Sequence, residues 1–296
     1  VLGNGLNPLL RNHGKTIHAT LCMSSGLITN IVLDYVLVFK MQMGLHGAAL
    51  ATIIAQGVVA CSTLSFLWYS NIRHLPIRYF FPSKKLILRI LRIGISPFGQ
   101  TLVPCIVIIL TNWMCLKYGG NSVVSYVLAS AQLLLQGIGD GVQPLLSFYH
   151  GAKEEHIIHA LYKKSFFLSI GCAILLSSGV FLFATPLTAL FGVSTSIYEE
   201  CRIALLITAL SFPFIGITRL TSAVFYATGK SKNSSLLVYI EPCIILPACL
   251  IILSSTFALT GIWVAYPAAQ IILSSIALIL KSPALVAHPI TPITQL

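Results

Sequence analysis

The sequence predicts an all-α, polytopic membrane protein, and three observations predict it. Of 296 residues, 56% are hydrophobic and only 8% charged, where soluble domains carry about a quarter charged; the mean hydropathy is +0.91. The apolar residues run in stretches of about 20 or more, enough to cross a hydrocarbon core of about 30 Å as a helix. The basic residues behind the net charge of +11 fall almost wholly in the breaks between those stretches. In a soluble protein that charge would suggest nucleic acid; here it marks loops beside anionic lipid, so membrane lipid is the expected partner and nucleic acid is not.

Apolar runs read against Gly, Pro and charged breaks give a helix tail at 1–10 and about eight full transmembrane helices. These are span A at 16–39, B at 45–69, C at 86–116, D at 122–149, E at 157–190, F at 201–228, G at 234–257 and H at 260–281. Spans C and E exceed a membrane crossing. Each opens on a basic amphipathic turn (Lys84, Lys85, Arg89 and Arg92; Lys163 and Lys164) suited to the headgroup region.

Placing the breaks alternately on two sides divides the 18 Lys and Arg. One side receives 15: Arg11, Lys15, Arg73, Arg78, Lys84, Lys85, Arg89, Arg92, Lys153, Lys163, Lys164, Arg219, Lys230, Lys232 and Lys281. The other receives Lys40, Lys117 and Arg202. Such a bias makes the first side cytoplasmic: span A runs outward, and the C-terminus returns to the cytoplasmic face of the plasma membrane. The eight cysteines have no Cys-x-x-Cys spacing and read as small apolar side chains. His156 and His159 beside Glu154 and Glu155 read as a solvated interfacial turn rather than a metal site.

The chain repeats itself. Gly47, Ala51 and Gln56 in span B match Gly261, Ala265 and Gln270 in span H at an offset of 214, and Gly14-Lys15 before A matches Gly229-Lys230 before G at 215. Two copies in one orientation imply two six-helix halves related by an axis along the membrane normal. On this reading 1–70 is the remainder of an N-terminal bundle (the tail of its fourth helix, then its fifth and sixth), 71–85 a cytoplasmic linker and 86–296 a complete C-terminal bundle. The expected parent has twelve helices. Residue 1 is Val and no signal peptide precedes the first span, so the sequence reads as a fragment.

An acid inside a span costs about 2.5–3.5 kcal/mol on insertion scales and is a functional candidate by default. Three qualify. Asp34 lies about 27 Å along span A at 1.5 Å per residue, with Asn30 one turn earlier on the same face; it is an ion-coupling acid or a structural acid bonded to a neighbouring helix. Glu241 stands beside Pro242 and Pro247, as a gate or ion site at a bend, or as an interfacial acid reaching Lys230 or Lys232. Asp140 has Gly137, Gly139 and Gly141 around it, which reads as a hinge or as close helix packing. Uncharged candidates for a substrate cleft are Gln100 (after a break expected at Ser96-Pro97-Phe98-Gly99), Asn112, Gln132, Gln136, Gln143 and Tyr239. Phe148, Tyr149, Phe225, Tyr226 and Tyr266 join Tyr239 as aromatics compatible with stacking on flat cations.

Several runs resemble the multidrug and toxic compound extrusion (MATE) family, within it the bacterial exporters of the MepA type. They are Asn7-Pro8-Leu9-Leu10-Arg11 with Gly14, Asn30-Ile31-Val32-Leu33-Asp34-Tyr35, Gly44-Leu45-His46-Gly47-Ala48-Ala49-Leu50-Ala51-Thr52, Gly141-Val142-Gln143-Pro144-Leu145 closing on Gly151-Ala152-Lys153, Glu241-Pro242, and Gly261-Ile262-Trp263-Val264-Ala265-Tyr266-Pro267. The resemblance implies two six-helix bundles around a cleft that opens alternately to either side. It implies export of amphipathic, often cationic, drug-like compounds in exchange for inward H⁺ or Na⁺, with no organic cofactor, by a monomer. Asp140 departs from the family pattern, where an uncharged residue is expected, and the coupling ion stays open. A lipid-linked oligosaccharide or polysaccharide exporter of the wider superfamily is the alternative, for which a more basic cleft is expected. No His-Glu-x-x-His, Gly-x-Ser-x-Gly or paired intramembrane aspartates point to an enzyme.

Overall fold

The computed structural model describes residues 2–12, 14–69, 83–117, 123–190 and 198–284, which are helical apart from short turns and connections and contain no strand. The chain divides into two compact units, Val1–Lys84 and Lys85–Leu296. Most of the expected 71–85 linker, with Arg73 and Arg78, lies outside the described residues.

The first unit holds α1 (Leu2–Asn12), α2 (Thr16–Asp34) and α3 (Gly44–Tyr69); α2 continues into a π-helical stretch, Tyr35–Lys40. Without a hydrophobic driving force between helices in lipid, small residues set the seam. Ala19, Cys22 and Gly26 of α2 are buried, as are Gly47, Ala51, Ala55, Val59 and Thr63 of α3. A Cβ on Gly26 would overlap the Val59 side chain. The large apolar residues face outward, Ile17 at 72% exposure and Leu27 at 62%. Asn7 Nδ2 donates to the Ala19 carbonyl at 2.8 Å and ties α1 to α2.

The second unit is built from α4 (Lys84–Lys117, all but its first residue), α5 (Val123–Gly151), α6 (Glu155–Leu190), α7 (Tyr198–Ala209), α8 (Phe212–Ala227), α9 (Ser231–Ile240), a π-helical stretch Glu241–Ile245, and α10 (Leu246–Ala284). Span F is a bent pair, α7 and α8 meeting at 44°. The cause is Pro213, which has no N–H to offer the Ala209 carbonyl; Ser177 Oγ of α6 supplies that hydrogen bond at 2.7 Å. The break expected at Ser96-Pro97-Phe98-Gly99 is absent, because α4 runs through Pro97 and Pro104. Intramembrane helices tolerate proline; near this one Tyr239 Oη donates to the Ile95 carbonyl at 2.8 Å and ties α9 to α4.

Spans G and H are one helical stretch folded back on itself. Ala258 has φ 49° and ψ −125°. Across it, Gln270 Nε2 lies 2.7 Å from Glu241 Oε1, whereas 29 residues of straight helix would separate them by about 44 Å. Among the described residues, five stretches are long and apolar enough to cross a membrane, and the bent pair α7–α8 makes a sixth. The reversal at Ala258 divides the longest stretch, Ser231–Lys281, into two. Helix α5 is 29 residues long but carries Gln132, Gln136, Asp140 and Gln143, which lower its apolarity. Among the described residues, each of spans A to H thus has a helical counterpart in a polytopic all-α membrane protein.

The repeat has a structural counterpart. Gly14 and Gly229 have φ of +75° and +74°, a left-handed conformation that favours glycine. The next residue closes the same bond in both copies, Lys15 N to Leu10 O at 3.0 Å and Lys230 N to Phe225 O at 2.8 Å. At the opposite ends of the two hairpins, Gln42 and Ala258 have φ of 51° and 49°. Just beyond, Gly47 and Gly261 press on the backbone of the preceding pass: a Cβ on Gly47 would lie 3.0 Å from the Leu37 carbonyl, and one on Gly261 would overlap that of Leu253. The third repeat position differs, Gln56 being exposed and Gln270 buried.

Candidate functional site

The interior of the second unit is polar where four segments meet. Glu241 opens the π-helical stretch after α9; Arg219 lies in α8, Gln132 in α5, and Tyr266 and Gln270 one turn apart in the returning arm of α10. All five are buried, Glu241 at 2% and Arg219 at 3% exposure. Arg219 Nη2 is 3.7 Å from Glu241 Oε2 and 3.4 Å from Gln132 Oε1, to which it donates. Gln270 Nε2 donates to Glu241 Oε1 at 2.7 Å and to Tyr266 Oη at 2.9 Å. Gln132 Nε2 also donates to Tyr266 Oη, whose own proton points to Glu241 Oε1 at 3.5 Å. The hydrogen bonds, closed by the Arg219–Glu241 ion pair, form a circuit of matched donors and acceptors. Two charges removed from water are tolerable only with such pairing.

A second group of hydroxyls lies nearer the Gly229 turn. Ser96 Oγ is 2.6 Å from Ser234 Oγ, which is 2.9 Å from Ser222 Oγ, and Gln100 Nε2 donates to Ser222 Oγ at 3.4 Å. These residues join α4, α8 and α9.

Arg219 corrects the sequence reading. Its sequence position places it in the cytoplasmic basic set, yet it lies eight residues before the end of α8 at Ala227, about 12 Å inside the helix, and is held by Glu241 and Gln132. Without it the basic residues divide 14 to 3. Glu241 accordingly does not reach out to Lys230 or Lys232. Gln100 and Gln132 are buried and hydrogen-bonded between helices, and the rings of Phe225 and Tyr266 are buried in the core. Tyr239 is half-buried and bonded to α4 as described.

Gln136 Nε2 approaches Asp140 Oδ2 at 3.5 Å on an exposed stretch of α5, and Gln143 Nε2 donates to Ser147 Oγ at 3.3 Å. The glycines around Asp140 divide: a Cβ on Gly139 would lie 3.0 Å from Ala223 of α8, while Gly137 and Gly141 face open space. Close packing at Gly139 is thus present, in a helix unbroken from Val123 to Gly151. Asn112 Oδ1 is buried with no hydrogen bond among the described residues. In the first unit, Asp34 and Asn30 are half-buried. Asp34 Oδ1 and Asn30 Nδ2 are both buried atoms without a hydrogen-bond partner among the described residues. Asp34 is the last α-helical residue before the π-helical stretch, and Glu241 is the first residue of the other one; π-helical turns recur at functional sites.

Arg219 and Gln270 were missed as site residues, and Tyr266 was read only as a stacking aromatic. The signals were present: a cation inside an otherwise apolar run, and a Tyr and a Gln at i, i+4 on one helical face.

Membrane-spanning helices around a buried pair of opposite charges define a polytopic integral membrane protein. The MatE family model matches residues 100–250, just over half of the chain, and the chain belongs to that family, which comprises transporters and not enzymes. The multidrug export protein MepA of Staphylococcus aureus is 26% identical over 265 residues, covering 86% of this chain and 58% of its own length. The chain thus spans little more than half of that relative. Among solved structures, the outward-facing conformation of a multidrug resistance MATE family transporter of the MOP superfamily has a TM-score of 0.83 at 20% identity, over 96% of this chain and 66% of that one. The Vibrio cholerae MATE transporter VcmN has 0.82 at 21% identity, with the same coverage. These likenesses establish the fold.

Proposed function

We propose that this protein exports amphipathic, often cationic, drug-like compounds across the plasma membrane by alternating access, as a monomer, in exchange for inward H⁺ or Na⁺. The relatives named for multidrug export support the substrate class. The buried Arg219–Glu241 pair within the Gln132–Tyr266–Gln270 circuit carries the coupling part of the reading. A carboxylate held by one cation at 3.7 Å and one short amide contact of 2.7 Å can exchange that cation for a proton or a metal ion. The π-helical stretch and Pro242 beside it supply a segment that can bend as the exchange occurs. Asp34, with its unbonded carboxylate oxygen, is a second coupling acid in this reading.

The test is efflux of a cationic dye from cells producing the protein, with the H⁺ and Na⁺ gradients collapsed in turn. Loss of efflux on collapse of one gradient, and in Glu241→Gln, is expected. Efflux indifferent to both gradients would overturn the coupling. Efflux by Glu241→Gln at the parental rate would remove Glu241 from it.

A further inference from the structure

Where α4 and α9 run side by side, a cavity of about 400 Å³ is lined by Arg92 and Ile95 of α4 and by Ser231, Lys232, Ser235 and Leu236 of α9. Four features of it point to a phosphate. Arg92 and Lys232 bring two positive charges, and neither forms an ion pair among the described residues. No acid lines the cavity. Helix α9 begins there without a side-chain cap; the Asn233 and Ser234 N–H groups bond the Lys230 carbonyl, and the N–H groups of Ser231 and Lys232, which precede them, are the ones a ligand can take. One turn further, Ser235 Oγ is buried without a hydrogen-bond partner among the described residues. Its neighbour Ser234 turns the opposite way, into the hydroxyl cluster with Ser96 and Ser222.

The rest of the lining is apolar and open. Ile95 is 50% and Leu236 49% exposed, a surface for hydrocarbon rather than water. Both helices reach the cavity from basic segments, Lys84 to Arg92 and Lys230 to Lys232, of the kind attracted to anionic leaflets.

We propose that this cavity binds an anionic phospholipid. Its phosphate is held by Arg92, Lys232, the hydroxyls of Ser231 and Ser235 and the α9 N-terminus, and its acyl chains lie along Ile95 and Leu236. A lipid seated there clamps α4 to α9 beside the Tyr239–Ile95 hydrogen bond. The site goes beyond the transport reading and does not depend on it.

The test uses the purified full chain in detergent, incubated with phosphatidylglycerol, phosphatidylcholine or inorganic phosphate, with retained adducts counted by native mass spectrometry. The chain should retain phosphatidylglycerol in preference to phosphatidylcholine. Removal of both charges in the double variant Arg92→Gln/Lys232→Gln should weaken retention by about tenfold or more. The charge-neutral Ser235→Ala should weaken it less, and it reports on the site even if the double variant misfolds. The double variant Lys163→Gln/Lys164→Gln, which removes two basic residues elsewhere, should leave retention unchanged. Equal loss in that control would reduce the effect to general electrostatics and overturn the site. Undiminished retention by both cavity variants would do the same. Inorganic phosphate that binds and displaces the lipid without any lipid preference would make it a soluble-anion site, overturning the lipid assignment.

Discussion

Arg219 Nη2 lies 3.7 Å from Glu241 Oε2, with both side chains sealed from the surface of the second unit. The pair joins α8 to the π-helical stretch after α9, and its worth is conditional. Removing one partner leaves the other as an uncompensated buried charge, at a cost of about 3–5 kcal/mol, whereas removing both leaves none. Arg219→Met and Glu241→Gln should each lower the thermal stability of the detergent-solubilised protein, and the double variant should be more stable than Arg219→Met alone. Additive losses in a double-mutant cycle would mean that the two charges are not coupled.

The hairpin between spans G and H makes a second prediction. Ala258 is held at φ 49° and ψ −125°, a region that glycine enters freely and that costs other residues about 1–3 kcal/mol. Ala258→Gly should therefore raise the midpoint of thermal unfolding. Gly261→Ala should lower it, since the new methyl overlaps the Leu253 carbonyl. A neutral Gly261→Ala would show that the two arms are further apart than the structure places them.

Much of this architecture was legible in the sequence. Spans, breaks and the repeat rest on apolar run length and on Gly-Lys turns, which depend on local sequence alone; Gly14 and Gly229 adopt one conformation because both copies need the same left-handed turn. The pairing of side chains was not legible, because it depends on which helix faces are brought together. Arg219 resembled any other basic residue until α5 and the Glu241 segment were placed against α8. Gln270 was noticed for its spacing from Gly261, and only the reversal at Ala258 brings it to Glu241. Pro97 reads as a break because it removes the N–H that the Ile93 carbonyl would accept, yet α4 continues through it.

Orientation makes a third prediction. With Arg219 assigned to the interior, 14 of the remaining 17 Lys and Arg still fall on one side, and that side should be cytoplasmic. In a background with the eight native cysteines replaced by alanine, single cysteines at Ser83 and Gln42, both exposed, should behave oppositely. An impermeant thiol reagent added to intact cells should label position 42 and reach position 83 only after permeabilisation. The reverse pattern would invert the topology.

Asp34 carries the last prediction. It lies about 27 Å along its span, where a carboxylate is costly unless something compensates it, and its Oδ1 is buried without a hydrogen bond among the described residues, as is the nearby Nδ2 of Asn30. The α-helix gives way to a π-helical stretch at the next residue. A purely structural acid would be expected to have its buried oxygens hydrogen-bonded. An acid with an unbonded oxygen has room for a proton or for a hard cation such as Na⁺, which takes oxygen ligands. Asp34→Asn retains the shape of the side chain and removes its charge, so abundance in the membrane should stay normal while efflux of cationic dyes falls to near background. Asp34→Glu keeps the carboxylate and should preserve part of the activity. Measured side by side with Glu241→Gln, the two variants assign the coupling: if Asp34→Asn exports dye at the parental rate and still responds to the ion gradient, Asp34 serves packing alone and the coupling rests with Glu241.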